Sequence, residues 1–237
     1  AVVEEVVVRL ARAARRETGL PNLCLAGGVA LNCVANGKIV REGIFDRVWV
    51  QPASGDAGGA LGAALAAWHG EFGQERTVPG RSMQDHAKAG GAGRNDAMDA
   101  MSGSYLGPAF SDAEIREALD GLGAVYTAMN EKEMVAATAQ ALADGLAVGW
   151  FQGRMEFGPR ALGGRSILGD PRSETMQRTL NLKVKFRESF RPFAPSVLRE
   201  DLSEWFELDV DSPYMLLVAP VAAAKRREMT PAERELF

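Results

Sequence analysis

Two periods of apolar and polar residues run along this chain, and the punctuation between them is mostly glycine. In "AVVEEVVVRLARAARRET" the apolar positions recur at helical spacing, which predicts an amphipathic helix over residues 1–18 closed by Gly19. "NLCL" is a short apolar run entering Gly27 and Gly28, read as a buried strand. "ALNCVANGKIVREG" returns to the helical period and again stops at a glycine. "DRVWVQP" reads as a second strand, "ASGD" as a tight turn, and "AGGALGAALAAWHG" as a helix of very small residues. Strand, glycine turn and helix thus occur twice within residues 1–70, the pattern of an α/β unit.

Residues 71–104 are polar, glycine-rich and without period, and are expected to be a linker. A second unit follows over residues 105–237. Ser111 and Glu114 have the spacing of a capping box before "DAEIREAL". "AVYTAM" reads as a strand, "EKEMVAATAQALAD" as a helix stopped by Gly145, and "LAVGWFQG" as another strand. "SETMQRTLNLKVKF" reads as helical, and "FAPSVLRED" and "PYMLLVAPV" as strands. The second unit is expected to be α+β or α/β. The chain starts without Met and "MTPAERELF" stops inside a helical pattern, so it reads as a piece of a longer protein.

Hydrophobic residues make up 46% of the 237, enough for one large core or two small ones. The net charge of −4 argues against a protein built for bulk binding to nucleic acid or membrane. Its distribution is uneven. Between Phe151 and Arg199 there are ten Lys and Arg against four acids, so this window is +6 and the rest −10. A positive site on an acidic protein suits a small anion better than a polymer. No apolar run reaches the ~18 residues of a membrane helix. Cys24 and Cys33 form no CxxC and read as two buried thiols in a reducing compartment, which places the protein in the cytoplasm. His69 and His86 form no catalytic pair, and neither an HExxH nor a Ser-His-Asp set is present.

Two places carry candidate chemistry. In "PASGDAGGALGAA", Asp56 sits in a tight turn with Gly55, Gly58 and Gly59, directly before a helix. It reads as a helix cap worth ~1 kcal/mol, as a carboxylate for a metal or metal-bound phosphates, or as both. Gly27 and Gly28 stand where main-chain N–H groups attract anions. In "FQGRMEFGPRALGGRSILGDPR", Arg160 follows Gly158-Pro159 and Arg165 follows Gly163-Gly164, so both emerge from a stiff frame. Lys183, Lys185, Arg187 and Arg191 add a second basic group, with Arg191 set among aromatics and prolines in "FRPFAP". Guanidinium forks match phosphate oxygens bidentately. Exposed salt bridges explain Arg172, Arg178 and Arg199 well enough, and fit Arg160 and Arg191 poorly. Ser166 reads as a phosphate hydrogen-bond donor at most. A phosphorylated small molecule is therefore the favoured ligand. Nucleic acid stacking on Phe157, Phe186, Phe190 and Phe193 comes second.

Several segments together resemble the ATP-dependent O-carbamoyltransferases of natural-product and nodulation-factor biosynthesis. They are "LAGGVALNCVANGKI", "QPASGDAGGALGAAL", "YLGP", "GRMEFGPRALGGRSILGDPR" and "LNLKVKFRESFRPFAPSVL". The resemblance implies the C-terminal part of a Kae1-like domain of the actin/sugar-kinase class over residues 1–70. It implies a YrdC-like α/β domain, incomplete at its C-terminus, over 105–237. It further implies activation of carbamoyl phosphate by ATP to carbamoyl adenylate, and carbamoyl transfer to a hydroxyl. Asp56 matches a ligand of a divalent metal, iron or magnesium. Gly27, Gly28 and Asn32, with Gly55 and Gly58, match nucleotide-binding positions. Arg160, Lys185 and Arg191 match the groups that hold carbamoyl phosphate and nucleotide phosphates, with Arg154, Arg165 and Ser166 as further contacts. Gly164 stands where the family usually has Asn, which implies a looser turn before Arg165. The implied partners are carbamoyl phosphate and a hydroxyl-bearing small molecule, with a homodimer allowed, no membrane, and nucleic acid disfavoured. The histidine metal ligands of the family have no counterpart here, so the piece alone is expected to be incomplete for transfer. A sugar kinase and a non-catalytic RNA-binding module are the two rival readings.

Overall fold

Glu4 and Glu5 in the first turn of α1 (Val2–Thr18), and Arg15 and Arg16 in its last, oppose the helix dipole. Gly19 closes the helix at φ +66°, donating its N–H to the Arg15 carbonyl at 2.9 Å. The computed structural model describes residues 2–76 and 100–230; most of the 71–104 stretch, His86 and residues 231–237 lie outside them. Beyond α1 come β1 (Asn22–Leu25), α2 (Cys33–Arg41) and β2 (Arg47–Val50). The two strands pair in parallel from Asn22↔Arg47 to Leu25↔Val50, and α2 is the crossover such a pair requires. Val8 and Ala11 of α1, Ile39 of α2 and Phe45 form a buried cluster, with Leu23, Leu25 and Val48 against it.

These elements belong to one compact unit, made of Ala1–Leu25, Ala30–Val50 and Pro195–Phe237. The buried Asn36 side chain ties its parts together, donating to the carbonyls of Ala30 and Leu216 at 2.8 and 3.1 Å. A Cβ at Gly37 would lie 2.2 Å from the Val218 carbonyl, so the 214–218 segment lies against α2 only because this residue is glycine. A short helix α7 (Leu202–Trp205) precedes a single bridge between Phe206 and Val221.

The second unit comprises Ala26–Val29 and Gln51–Ala194. It holds α3 (Asp56–Ala66), α4 (Asp112–Gly121), α5 (Glu131–Ala143), β3 (Val148–Phe151), β4 (Arg165–Leu168) and α6 (Met176–Thr179). α3 and α6 each run on into one wider turn, Ala67–Glu71 and Leu180–Val184. The capping box at Ser111 and Glu114 is formed, and a second one joins Asn130 and Glu133 at α5. β3 and β4 pair antiparallel, from Val148↔Leu168 to Phe151↔Arg165. Small sheets mixed with helices are consistent with an α/β fold. Both compact units draw residues from either side of 71–104.

Three strand expectations fail. "AVYTAM" is irregular and Val125 is fully exposed. "FAPSVLRED" is irregular until it turns helical at Arg199–Asp201. "PYMLLVAPV" forms only the one bridge. Apolar and β-branched composition suits a pleated surface, but a strand forms only where a neighbour offers its ladder. The cysteines differ as well: Cys24 points outward from β1 and is exposed, and Cys33 is half-buried.

Candidate functional site

The two glycine turns of the sequence meet in the second unit. Gly27, at φ +94°, donates its N–H to the Ser54 carbonyl at 3.0 Å. The Gln51–Gly55 turn is drawn tight by its own side chains, with Ser54 Oγ donating to the Gln51 carbonyl and Gln51 Oε1 accepting from Ala53 N–H. A Cβ at Gly58 would sit 2.1 Å from the Ala53 carbonyl, so α3 begins this close to the turn only with glycine there. Gly55, not Asp56, is the N-cap of α3. The cap role expected for Asp56 is therefore absent. Asp56 is the first residue of the helix, exposed, and its carboxylate has no hydrogen bond or ion pair among the described residues. A carboxylate in the first helical turn is favoured by the dipole and stays open to a ligand. Asn32, by contrast, is occupied: its side-chain oxygen accepts from Ala35 N–H and caps α2.

The arginine-rich turn is built on three supports. Residues 104–108 lie beside it through Gly107 N–H to Met155 O (2.9 Å), Met155 N–H to Pro108 O (2.9 Å) and Phe157 N–H to Ser104 O (2.6 Å). Gly107 permits this approach, since a Cβ there would lie 2.8 Å from the Met155 carbonyl. The Tyr105 hydroxyl donates to the Leu162 carbonyl. Gly158, at φ +131°, lies against Pro52 and Ala53, so the turn carrying Arg160 is seated on the turn preceding Asp56.

Glu156 closes the turn from within, a role the sequence reading missed. It is the only charged residue among the described ones that is buried, 8% exposed. Its Oε1 accepts the N–H groups of Leu162 (2.7 Å), Gly164 (2.7 Å) and Arg165 (3.3 Å). Burial pushes its carboxyl up, but the main-chain donors Leu162, Glu156 itself, Gly164 and Arg165 together outweigh burial and hold it below the usual carboxylate value. The looser turn implied by Gly164 is thus not seen. Gly164 is buried, and a Cβ on it would meet the Arg154 carbonyl at 2.6 Å and Glu156 Oε2 at 3.0 Å.

Not every arginine here faces a ligand. Arg165 donates to the carbonyls of Gln152, Gly153 and Gly164 and stacks 3.3 Å over the Phe151 ring. Arg154 donates to the Gly107 carbonyl at 2.7 Å, and Ser166 Oγ accepts from Gly163 N–H at 3.0 Å. Arg172 is paired with Asp170 and Arg199 with Asp211, as exposed salt bridges. Arg160 is half-buried at the centre of the turn. Lys185 is exposed and makes no ion pair among the described residues. Arg191 holds an exposed pair with Glu188 at 2.8 Å, an arrangement worth little and readily exchanged for an anion. Its main chain is pinned by the fully buried Asn181, whose amide donates to the Ser189 and Arg191 carbonyls while its oxygen accepts from Arg187 Nε at 2.6 Å. Nothing in "LNLKVKF" flagged Asn181, though a lone amide at an apolar position of a helical pattern was the available signal.

A groove of about 860 Å³ lies elsewhere, between α1 and α2. Its charges compensate one another: Lys38 pairs with Glu4, Arg12 with Glu42 and Arg9 with Glu5. Lys38 holds the Glu4 carboxyl down at about 2. That self-pairing leaves little for a ligand. Among the described residues no group of three or more His, Cys, Asp or Glu is arranged to hold a metal ion, and no helix is long and apolar enough to cross a membrane.

The chain matches the family model described as "Carbamoyltransferase N-terminus" over residues 1–65 and that described as "Carbamoyltransferase C-terminus" over residues 139–233. An uncharacterized protein of Synechocystis sp. is 55% identical over 100% of this chain, which covers 36% of that protein. The nodulation protein NolNO of Sinorhizobium fredii is 42% identical over 94% of this chain and 30% of its own length. The nodulation protein NolO of Bradyrhizobium diazoefficiens is 41% identical over 94% of the chain and 38% of its own. The chain thus spans about a third of the length of these curated relatives.

Proposed function

The chain belongs to the carbamoyltransferase family, and from that premise we propose that it is part of an ATP-dependent O-carbamoyltransferase. The observation that supports this most is the Glu156–Arg165 turn. It presents a half-buried arginine from a rigid frame, seated on the glycine turn that leads into α3 and its exposed Asp56 carboxylate. In this reading residues 1–70 are the end of a Kae1-like domain and residues 105–237 a YrdC-like domain, and the protein works in the cytoplasm.

Arg160, Lys185 and Arg191 bind carbamoyl phosphate and the phosphates of ATP. Bringing two polyanions together costs Coulomb repulsion, which fixed cations offset. Arg191 releases Glu188 to do so. Water attacks the phosphorus of carbamoyl phosphate and the P–O bond to the carbamoyl oxygen breaks, giving inorganic phosphate and carbamate. A carbamate oxygen then attacks the α-phosphorus, pyrophosphate leaves, and carbamoyl adenylate forms. An acceptor hydroxyl, on a sugar or natural product, finally takes the carbamoyl group and AMP departs. Positioning and charge neutralisation carry such steps, so the motif needs arginine more than histidine or cysteine. Arg154, Arg165 and Ser166 shape the turn. Gly27 and Gly28 leave open space above a main chain suited to a nucleotide, since a Cβ on either meets nothing within 4 Å. Asp56, exposed in the first turn of α3, would serve as one ligand of a divalent metal. Such a metal screens nucleotide phosphate charge when bound.

Calorimetric titration of the full-length protein tests this reading against its rivals. Saturable binding of carbamoyl phosphate, lost in Arg160→Ala, is the expected result. Sugar-dependent ATP turnover without such binding points to a kinase. RNA binding that weakens steeply with salt points to an RNA module.

A further inference from the structure

Glu156 is a buried carboxylate in a turn rich in arginine, yet among the described residues its charge is met by main-chain N–H groups and by no guanidinium. This arrangement is unusual in its economy of cations. A buried charge is costly, and a neighbouring arginine is the common compensation. Here Arg154 and Arg165 spend their donors on carbonyls instead, and Arg160 stands between the anchored ends of the turn. The carboxylate sits at residue 156 and its acceptor oxygen gathers residues 162, 164 and 165, so the eight residues 157–164 are closed over it.

Independent contacts hold the same turn from outside. Tyr105 fixes the Leu162 carbonyl, Ser104 fixes Phe157, and Gly158 rests on Pro52 and Ala53. Gly164 is matched to Glu156, because any side chain at 164 would push into the Arg154 carbonyl or the carboxylate itself. The outer contacts fix where the turn lies. Arg165 and the Gln152 N–H tie the base of the two limbs through the Gln152, Gly153 and Gly164 carbonyls, and Glu156 ties them from inside, with three main-chain N–H groups on one carboxylate oxygen. Those ties set the direction in which Arg160 leaves the main chain.

We propose that Glu156 is the positioning residue of the anion site: its buried carboxylate holds the 157–164 turn closed and aims Arg160 at the phosphorylated substrate. This rests on the reading of Arg160 as an anion-binding group. Glu156 touches no substrate. It acts through the direction of Arg160, and its own hydrogen-bond partners among the described residues are main-chain N–H groups.

The test uses the full-length protein and four variants: Glu156→Gln, Glu156→Asp, Arg160→Ala, and Glu156→Gln combined with Arg160→Ala. The readouts are KM for carbamoyl phosphate, KM for ATP and kcat, measured with thermal midpoints. Glu156→Gln keeps one acceptor oxygen and removes the charge. It is expected to raise KM for carbamoyl phosphate about tenfold, the scale of one charge-assisted contact, with a smaller change in KM for ATP. In the Arg160→Ala background the same change is expected to add less than about twofold, because the two act on one contact. A merely structural role would lower the folded fraction and the midpoint and leave KM unmoved. KM does not depend on how much enzyme folds, and Glu156→Asp, which keeps the charge on a shorter arm, carries the same test where Gln folds poorly. An unchanged KM in both Glu156 variants, with Arg160→Ala impaired, overturns the role of Glu156 and leaves the anion site standing. An unchanged KM in Arg160→Ala removes the anion site and this role together. A full Glu156→Gln effect without Arg160 shows that Glu156 does not act through it, and also overturns the proposal.

Discussion

Asp56 stands first in α3 with its carboxylate exposed and unengaged among the described residues, while Gly55 provides the cap. Replacing it by Asn therefore disturbs no contact among the described residues. In the full-length enzyme Asp56→Asn is expected to abolish most acceptor carbamoylation while the thermal midpoint moves by less than ~0.5 kcal/mol of stability. Retained activity would remove the metal role. Glu156 gives a second residue-scale expectation. Its carboxyl lies below the ordinary 4.5 in the folded protein. The stability it contributes is full above that ordinary value and is lost as pH falls through the lower folded value. The wild-type midpoint should thus fall more steeply below pH 4.5 than that of Glu156→Gln. Parallel acid melting curves would contradict this. The turns that carry Asp56 and Arg160 were legible in the sequence because their glycines and proline are a local signal. Arg165 and Ser166 were not separable from Asp56 and Arg160. What they bond depends on β3 pairing with β4 and on residues 104–108 lying alongside, which no local pattern encodes.

Among the elements, the helices were the most readable. Their caps lie within four residues, as at Ser111 and Glu114, so the signal and the structure occupy the same short span. Strands were read well at β1 and β2, where α2 supplies the crossover, and badly at "AVYTAM" and "PYMLLVAPV", which form no ladder among the described residues beyond the Phe206–Val221 bridge. β4 went unseen because "RSIL" follows directly on a glycine turn read for its charge. α3 offers a sharp element-scale test. Gly58 and Gly59 are adjacent, both helical, and opposite in surroundings. Gly59→Ala meets nothing within 4 Å and should stabilise by up to ~1 kcal/mol through helix propensity. Gly58→Ala drives a methyl into the Ala53 carbonyl and should destabilise by roughly 1–3 kcal/mol. Chemical denaturation of both decides it. Equal effects would mean that the turn before Asp56 does not lie against α3.

At the scale of the whole molecule, the positive window on an acidic chain was visible from composition, and it narrows once contacts are known. Its Arg172, Arg199 and Arg191 are in exposed ion pairs, and Arg165 and Arg187 are held by carbonyls, an amide and aromatic rings. Half-buried Arg160 and Lys185, which makes no ion pair among the described residues, remain the centre of the account, with Arg191 close in sequence and loosely held. The grouping of residues into compact units was beyond sequence reading, since 26–29 and 195–237 each join a unit remote in the chain. Arg160→Lys and Arg191→Lys keep charge and lose the fork, at ~1.5–3 kcal/mol each, or about tenfold or more in rate. Pyrophosphate release from ATP by the full-length enzyme, with no acceptor present, measures the activation step alone. The expected result is release that depends on carbamoyl phosphate and drops about tenfold or more in each variant. Release that needs no carbamoyl phosphate, or wild-type rates in both variants, would contradict the assignment of the activation site to this turn.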